Sequence, residues 1–237
     1  MLPGPLSRKI HHARAVLHAR ASDRFDRRHG TDTVAEARIG DLTVASGDAG
    51  EGRMYVGSPP AVLEHCMPAL VADPATTTFI DMGSGKGRAL MLAAVHGFPR
   101  AIGVEFAEEL HAIALRNRDA FDRITGLGER IEPCLGDAGA FAFPPEPLML
   151  FFNNPFRAPV LRRVLDGLQR SLDERPRPAV LLYQSMKDAP PESGTDENLA
   201  MLDEAPFLTP VPIRIASPAG RFMLAPFALR AHVASGG

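Results

Sequence analysis

Asp81-Met82-Gly83-Ser84-Gly85-Lys86-Gly87-Arg88 is the stretch that decides the fold. It closes the short apolar run TTFID (77–81) and leads into RALMLAAVH (88–96), whose apolar residues have helical spacing. The reading is strand, glycine loop, helix. Three glycines at alternate positions let backbone N–H groups approach a ligand, and the amino end of the helix favours an anionic group.

Outward from this loop the pattern is regular. AIGVE (101–105) is a second strand, followed by the helix-like FAEELHAIALRNRDAF (106–121). RIEPCL (130–135) and LMLFF (148–152) read as further strands, PVLRRVLDGLQRSL (159–172) as a helix and AVLLYQ (179–184) as a fifth strand. Strands alternating with helices imply a parallel sheet covered on both faces. VPIRIAS (211–217) and RFMLAPFAL (221–229), separated by PAG, suggest a closing antiparallel hairpin, and DAPPESGTDE (188–197) reads as a loop. Upstream, residues 59–72 read as a helix begun by Pro59 and Pro60, and weak alternation within 31–57 suggests short strands. Residues 7–29 contain no proline, end at Gly30 and place Ile10, Ala13, Leu17 and Ala21 near one face, as a helix with a narrow apolar stripe would.

The chain has 237 residues, 45% hydrophobic and 23% charged, enough for one sizeable core and too apolar for disorder as the whole answer. No apolar run approaches the roughly 20 residues of a membrane helix. A net charge of −2 advertises no dominant nucleic-acid-binding surface. Cys66 and Cys134 cannot make a disulfide framework, and the eight histidines show no metal-binding spacing, so no metal is expected. A reducing, cytoplasmic location is the simplest expectation. Charge is uneven: residues 1–30 hold seven basic and two acidic groups, net +5, which leaves −7 for the remainder. We read this arm as a permanent helix rather than a cleaved leader, because arginine outnumbers lysine throughout the chain.

A glycine loop of this kind can serve a nucleotide, a dinucleotide or S-adenosylmethionine. A phosphate-binding P-loop needs Ser or Thr directly after its Gly-Lys pair; here that position is Gly87. The dinucleotide spacing Gly-x-Gly-x-x-Gly is replaced by Gly83-x-Gly85-x-Gly87. A carboxylate at Asp81 repels pyrophosphate and attracts an ammonium or sulfonium centre.

Asp-x-Gly-x-Gly-x-Gly on a strand–loop–helix resembles motif I of the class I S-adenosylmethionine-dependent methyltransferases. Glu105 stands where that superfamily places an acid for the ribose hydroxyls, and Gly136-Asp137-Ala138 where an Asp contacts the adenine amino group. Asn154-Pro155-Phe156 after the fourth strand is similar to the Asn/Asp-Pro-Pro-Tyr/Phe motif of amine methylators. The likeness spans roughly residues 77–185. DMGSGKGR (81–88), GVEF (103–106) and FNNPF (152–156) resemble more closely a bacterial group within the superfamily, with Asn153 as an extra residue; DRRHGTDT (26–33) and YVGSP (55–59) also look like that group. VEF and FFNNPF are distantly similar to the non-SET histone lysine methyltransferases.

The resemblance implies a Rossmann-like α/β fold, with a seven-stranded, mostly parallel sheet of order 3-2-1-4-5-7-6, helices on both faces and an N-terminal helical arm. Residues 1–58 would form the basic arm and cap, and 59–237 the methyltransferase domain. S-adenosyl-L-methionine would be held by Tyr55, Asp81, Gly83, Ser84, Gly85, Gly87, Glu105, Phe106, Asp137, Ala138 and Asn153. Asn154, Pro155 and Phe156 would serve in-line methyl transfer to an amine-type acceptor, a protein lysine or a small molecule, with carbonyls of Asn154 and Pro155 orienting the nitrogen. Each residue also has an ordinary structural use. The glycines make a tight turn, Asp81 caps a helix, Glu105 is a strand-end acid, Asp137 belongs to a turn, and Asn153 and Asn154 satisfy loop backbone. Tyr55 closes over the cofactor's methionine end or packs beneath the arm. Lys86 and Arg88 read as a solvated helix start. Two other classes compete: a non-catalytic S-adenosylmethionine-binding module, and an NAD-type oxidoreductase that fails on glycine spacing and on Asp81.

Overall fold

Five short apolar runs become the centre of one sheet. In the computed structural model, which describes residues 19–34, 43, 55, 57–58, 60, 63–64, 67, 70–71, 73–184, 195–211 and 227–232, these are β1 (Thr78–Met82), β2 (Arg100–Glu105), β3 (Ile131–Leu135), β4 (Leu148–Phe152) and β5 (Ala179–Gln184). β6 (Thr209–Pro210) and β7 (Phe227–His232) complete the order β3-β2-β1-β4-β5-β7-β6 expected from the sequence. β1 to β5 run parallel, while β7 pairs antiparallel with both β5 and β6. Asp81 lies opposite Gly103 of β2 and Phe151 of β4, so the acids Asp81 and Glu105 end neighbouring central strands.

β1 and β4 are buried along their whole length because both faces are covered, which is why they read as continuous apolar runs. Alternate residues feed different cores. Ile80, Met82, Leu150, Phe152 and Tyr183 pack with α5 (Ala158–Glu174) and with Met201 and Leu202 of α6 (Thr195–Glu204). Phe79, Met149 and Phe151 face the other way, onto α3 (Arg88–Val95) and Phe121 of α4 (Glu108–Thr125). That second core also holds Phe25 from the helix at residues 19–29 (α1) and Leu63 and Met67 from helical positions within 60–70 (α2). The ring of His29 sits 4.5 Å from Phe25 and 5.1 Å from Phe121, so α1 is docked through aromatic contacts.

The structure departs from the sequence reading near the C-terminal end. The loop expected at 188–197 gives way to α6 from Thr195, where Asn198, Met201, Leu202 and Ala205 bury one helical stripe. The last strand extends to His232, three residues beyond its expected end. The strand expected at 211–217 and the first part of the one at 221–229 lie outside the described residues apart from Val211, as do residues 7–18 of the arm, most of 31–57, and Cys66. Among the described residues, no helix is long and apolar enough to cross a membrane.

Candidate functional site

The glycine loop folds back on its own sheet. The backbone N–H groups of Gly83 and Ser84 both donate to the Val104 carbonyl, at 2.9 and 3.0 Å, and Gly87 N–H donates to the Ser84 carbonyl at 2.9 Å. Gly83 and Gly85 sit in left-handed conformations, φ +85° and +52°, and each also has a neighbour where a side chain would stand. A Cβ on Gly83 would fall 2.3 Å from Pro155 Cβ; one on Gly85 would fall 2.1 Å from the Tyr55 ring. The loop is therefore clasped between Pro155 and Tyr55, and only glycine permits both approaches.

Two acids line the loop in different states of satisfaction. Glu105 is buried and engaged at both oxygens: Oε2 accepts from Gly85 N–H at 2.7 Å, and Oε1 from the N–H groups of Phe106 and Ala107 at 3.0 and 2.9 Å. Burial raises its pKa, opposed by those three N–H donors. Asp81 is 3% exposed, and its Oδ1 has no hydrogen-bond partner among the described residues. Burial, and then the neighbouring Glu105 charge, push its pKa well above the ordinary aspartate range. The buried Ser84 Oγ is likewise without a partner among the described residues. Such buried polar atoms cost about 1–3 kcal/mol each when unsatisfied, and two of them stand beside this one loop.

The β4–α5 loop carries the paired asparagines. Asn154 is buried with φ +48°, a conformation that asparagine tolerates better than most residues. Its Oδ1 accepts from the Tyr183 hydroxyl at 2.7 Å. Asn198 Nδ2 donates to that hydroxyl at 2.8 Å and to the Phe156 carbonyl at 2.9 Å. Phe156 packs edge-on against Phe152 in the core, whereas Pro155 meets the glycine loop. Asn153 is half-buried beside them. The sequence singled out the asparagines but neither Tyr183 nor Asn198. Tyr183 lies in a recognised strand, and the acidic start of α6 was the available signal for Asn198.

At the edge of the site, Asp137 caps its own turn. Its Oδ1 accepts from Gly139 N–H at 2.8 Å, and Arg163 of α5 bonds both carboxylate oxygens at 3.0 to 3.1 Å. Ala138 packs on the core, and Phe106 is half-buried at the end of β2. Among the described residues, no three His, Cys, Asp or Glu side chains are placed to share a metal ion.

Lys86 and Arg88 correct the sequence reading outright. Both are buried, at 3% and 2% exposure, rather than solvated. Arg88 donates from Nε to Thr33 Oγ1 at 2.7 Å and from Nη1 to Ser22 Oγ and the Ser58 carbonyl, at 2.9 and 2.8 Å. Lys86 Nζ lies 3.3 Å from Asp32 Oδ1 and 5.7 Å from the centre of the Tyr55 ring. Nothing local to the motif announces these partners, which stand 30 to 66 residues away in sequence.

No family model matches the chain, and no curated protein is similar to it in sequence. Its fold is found among solved structures. A glycopeptide N-methyltransferase solved with S-adenosyl-L-methionine superposes with a TM-score of 0.54 at 11% identity, over 75% of this chain and 87% of that one. The geranyl diphosphate C-methyltransferase of Streptomyces coelicolor, solved with Mg2+, geranyl diphosphate and S-adenosyl-L-homocysteine, gives 0.50 at 15% identity, over 75% and 78%. At such identities the likeness is one of fold: the seven-stranded Rossmann-like sheet of class I methyltransferases.

Proposed function

We propose that the chain binds S-adenosylmethionine on the glycine loop and transfers its methyl group to an amine-type acceptor beside Asn154 and Pro155. The observation that carries the reading is the pair of buried acceptor atoms without partners among the described residues, Asp81 Oδ1 and Ser84 Oγ, at a loop with no room for a side chain at Gly83 or Gly85. A ligand that fits must bring donors and positive charge, and the ammonium, ribose hydroxyls and sulfonium of S-adenosylmethionine do so. The pyrophosphate of NAD would bring more acceptors against two carboxylates. The fold is also the one on which the two superposed methyltransferases hold this cofactor or its product.

In this reading, Asp81 holds positive charge, Glu105 accepts from the ribose, and Gly83, Ser84, Gly85 and Gly87 supply the close backbone. Phe106, Asp137, Ala138 and Asn153 border the adenine side, and Tyr55 walls the loop. Bound there, the cofactor supplies an electrophilic methyl group on a positively charged sulfur. The chain's own task is positioning and exclusion of water. Carbonyl oxygens of Asn154 and Pro155 accept hydrogens of the acceptor nitrogen and aim its lone pair. Asn154 Oδ1, a carbonyl oxygen with two lone pairs, accepts from the Tyr183 hydroxyl on one of them. Phe156 anchors the loop in the core. Residues 59–237 form the catalytic domain in this assignment, and 1–58 its basic arm and cap; a protein lysine is one acceptor that satisfies the chemistry.

Calorimetry tests the reading. S-adenosylmethionine and S-adenosylhomocysteine are expected to bind and NAD not to. Glu105→Ala is expected to lose about 1.5–3 kcal/mol of cofactor affinity; unchanged affinity in a folded variant removes Glu105 from the site. Mass spectrometry of lysate incubated with a labelled methyl donor then identifies the acceptor. Asn154→Gly, which keeps the left-handed backbone, is expected to bind cofactor normally and lose turnover. Wild-type turnover would leave the loop a structural role only.

A further inference from the structure

The glycine loop has a second side. Facing away from Asp81 and Ser84, its two cations reach residues far upstream, and the contacts converge on Thr33. This residue is fully buried. Its backbone N–H donates to Asp26 Oδ2 at 2.8 Å, its hydroxyl accepts from Arg88 Nε, and its carbonyl accepts from the Tyr55 hydroxyl at 2.9 Å. Its neighbour Asp32 is bracketed by Asn117 of α4: Asp32 N–H donates to Asn117 Oδ1 at 2.8 Å, and Asn117 Nδ2 donates to the Asp32 carbonyl at 3.1 Å. The same Nδ2 donates to the carbonyl of Lys86 at 2.9 Å. Gly57 presses on this node as well, since a Cβ there would fall 2.7 Å from the Thr33 carbonyl oxygen and 3.0 Å from Arg88 Nη1.

A solvated helix start would need none of this. Burying a lysine and an arginine costs several kcal/mol unless hydrogen bonds and opposite charge compensate, and here the partners of both head groups come from the upstream segment, with Arg88 Nη2 left without one among the described residues. Lys86 meets Asp32 and the face of the Tyr55 ring; Arg88 meets Thr33, Ser22 and Ser58. Burial lowers the Arg88 pKa, while the Tyr55 hydroxyl, Asp26 and Asp23 favour its charged form. Tyr55 in turn lies on Gly85, whose N–H binds Glu105. The chain of contacts thus runs from α1 through Thr33 and Tyr55 to Gly85 of the glycine loop.

We propose that Lys86 and Arg88 are positioning residues that seat residues 22–33 and Tyr55 on the glycine loop, so that the N-terminal segment is a wall of the cofactor site and is held cooperatively with the cofactor. Neither cation touches the cofactor in this scheme. This rests on the S-adenosylmethionine reading. By linkage, a ligand that fixes the loop tightens the segment, and a loosened segment weakens the ligand by the same factor.

The test uses the full chain and S-adenosylhomocysteine. Lys86→Met keeps the length of the side chain and removes the charge; it is expected to weaken binding about tenfold, within the range usual for coupled sites. Lys86→Arg is expected to restore most of that affinity. Asp32→Asn, at a side chain that is 65% exposed and safe for folding, is expected to weaken binding in the same direction. Hydrogen exchange supplies the readout that a merely structural role would not move: saturating ligand is expected to slow exchange of amides in 22–33 in the wild type and far less in Lys86→Met. The inference is overturned if wild type binds the ligand, the folded variants bind it equally well and no amide in 22–33 gains protection. If wild type does not bind the ligand, the cofactor reading fails and this inference falls with it.

Discussion

The β1–α3 loop and the β4–α5 loop rise from adjacent strands and touch at Gly83 and Pro155, yet they treat their polar groups in opposite ways. The first leaves Asp81 Oδ1 and Ser84 Oγ buried with no partner among the described residues, while its backbone is held by Val104 and Glu105. The second ties the Asn154 side chain to Tyr183, which Asn198 fixes in turn. One loop keeps two buried acceptor atoms without partners among the described residues, and the other has its buried asparagine side chain bonded within the fold. That division suits a reaction in which one partner is captured by unsatisfied acceptors and the other is only aimed.

Three substitutions test the contrast. The largest effect is expected at Asp81, because its cost is that of a fully buried carboxyl. Its folded pKa is raised, so the stability it contributes is present below the unfolded value of about 3.9 and is lost as pH rises through the folded value. Wild type is therefore expected to lose melting temperature relative to Asp81→Asn as pH rises from about 4 towards neutrality. Parallel melting curves across that range would mean that Asp81 is already satisfied and that the contrast is false.

Gly83→Ala comes next. A left-handed alanine costs about 1–2 kcal/mol, and its Cβ would drive into Pro155, adding about 1–3 kcal/mol. Denaturant unfolding is expected to show that loss, with cofactor affinity and turnover falling together because both loops shift. Wild-type stability in this variant would show that the loops do not clasp each other. The smallest effect belongs to Tyr183→Phe, which removes the hydroxyl's bonds to Asn154 Oδ1 and Asn198 Nδ2, the latter keeping its bond to the Phe156 carbonyl, at about 1–3 kcal/mol of stability in all. Turnover is expected to fall while calorimetric affinity for S-adenosylhomocysteine holds. An equal fall in affinity would merge the two loops into one functional unit.

What was legible followed from locality. Strands β1 to β5 each lie within a few residues of an apolar run, and the glycine loop announces itself through spacing alone. α6 was hidden because TDENLAMLDE buries few apolar side chains and follows a loop-like stretch. The role of Asn198 depends on Tyr183, which a one-dimensional pattern cannot place beside it. Lys86 and Arg88 were misread for the same reason. A cation at a helix start is ordinarily solvated, and only the return of Thr33 and Ser22 over it excludes water. The apolar stripe of the arm was read at Ile10, Ala13, Leu17 and Ala21, of which all but Ala21 lie outside the described residues; in the structure Phe25 and His29 pack onto the second core.

The position of β7 between β5 and β6 has a consequence for how the chain is made. Synthesis delivers β1 to β5 first, and each of these finds its parallel neighbours among strands already present. β5 then waits with one bare edge until residues 227–232 emerge, since β6 reaches the sheet only through β7. A bare strand edge is where nascent chains pair wrongly. During that interval the growing polypeptide carries a complete glycine loop on an unfinished sheet, so that loop is spelled out by the ribosome well before the strand that covers the edge of β5.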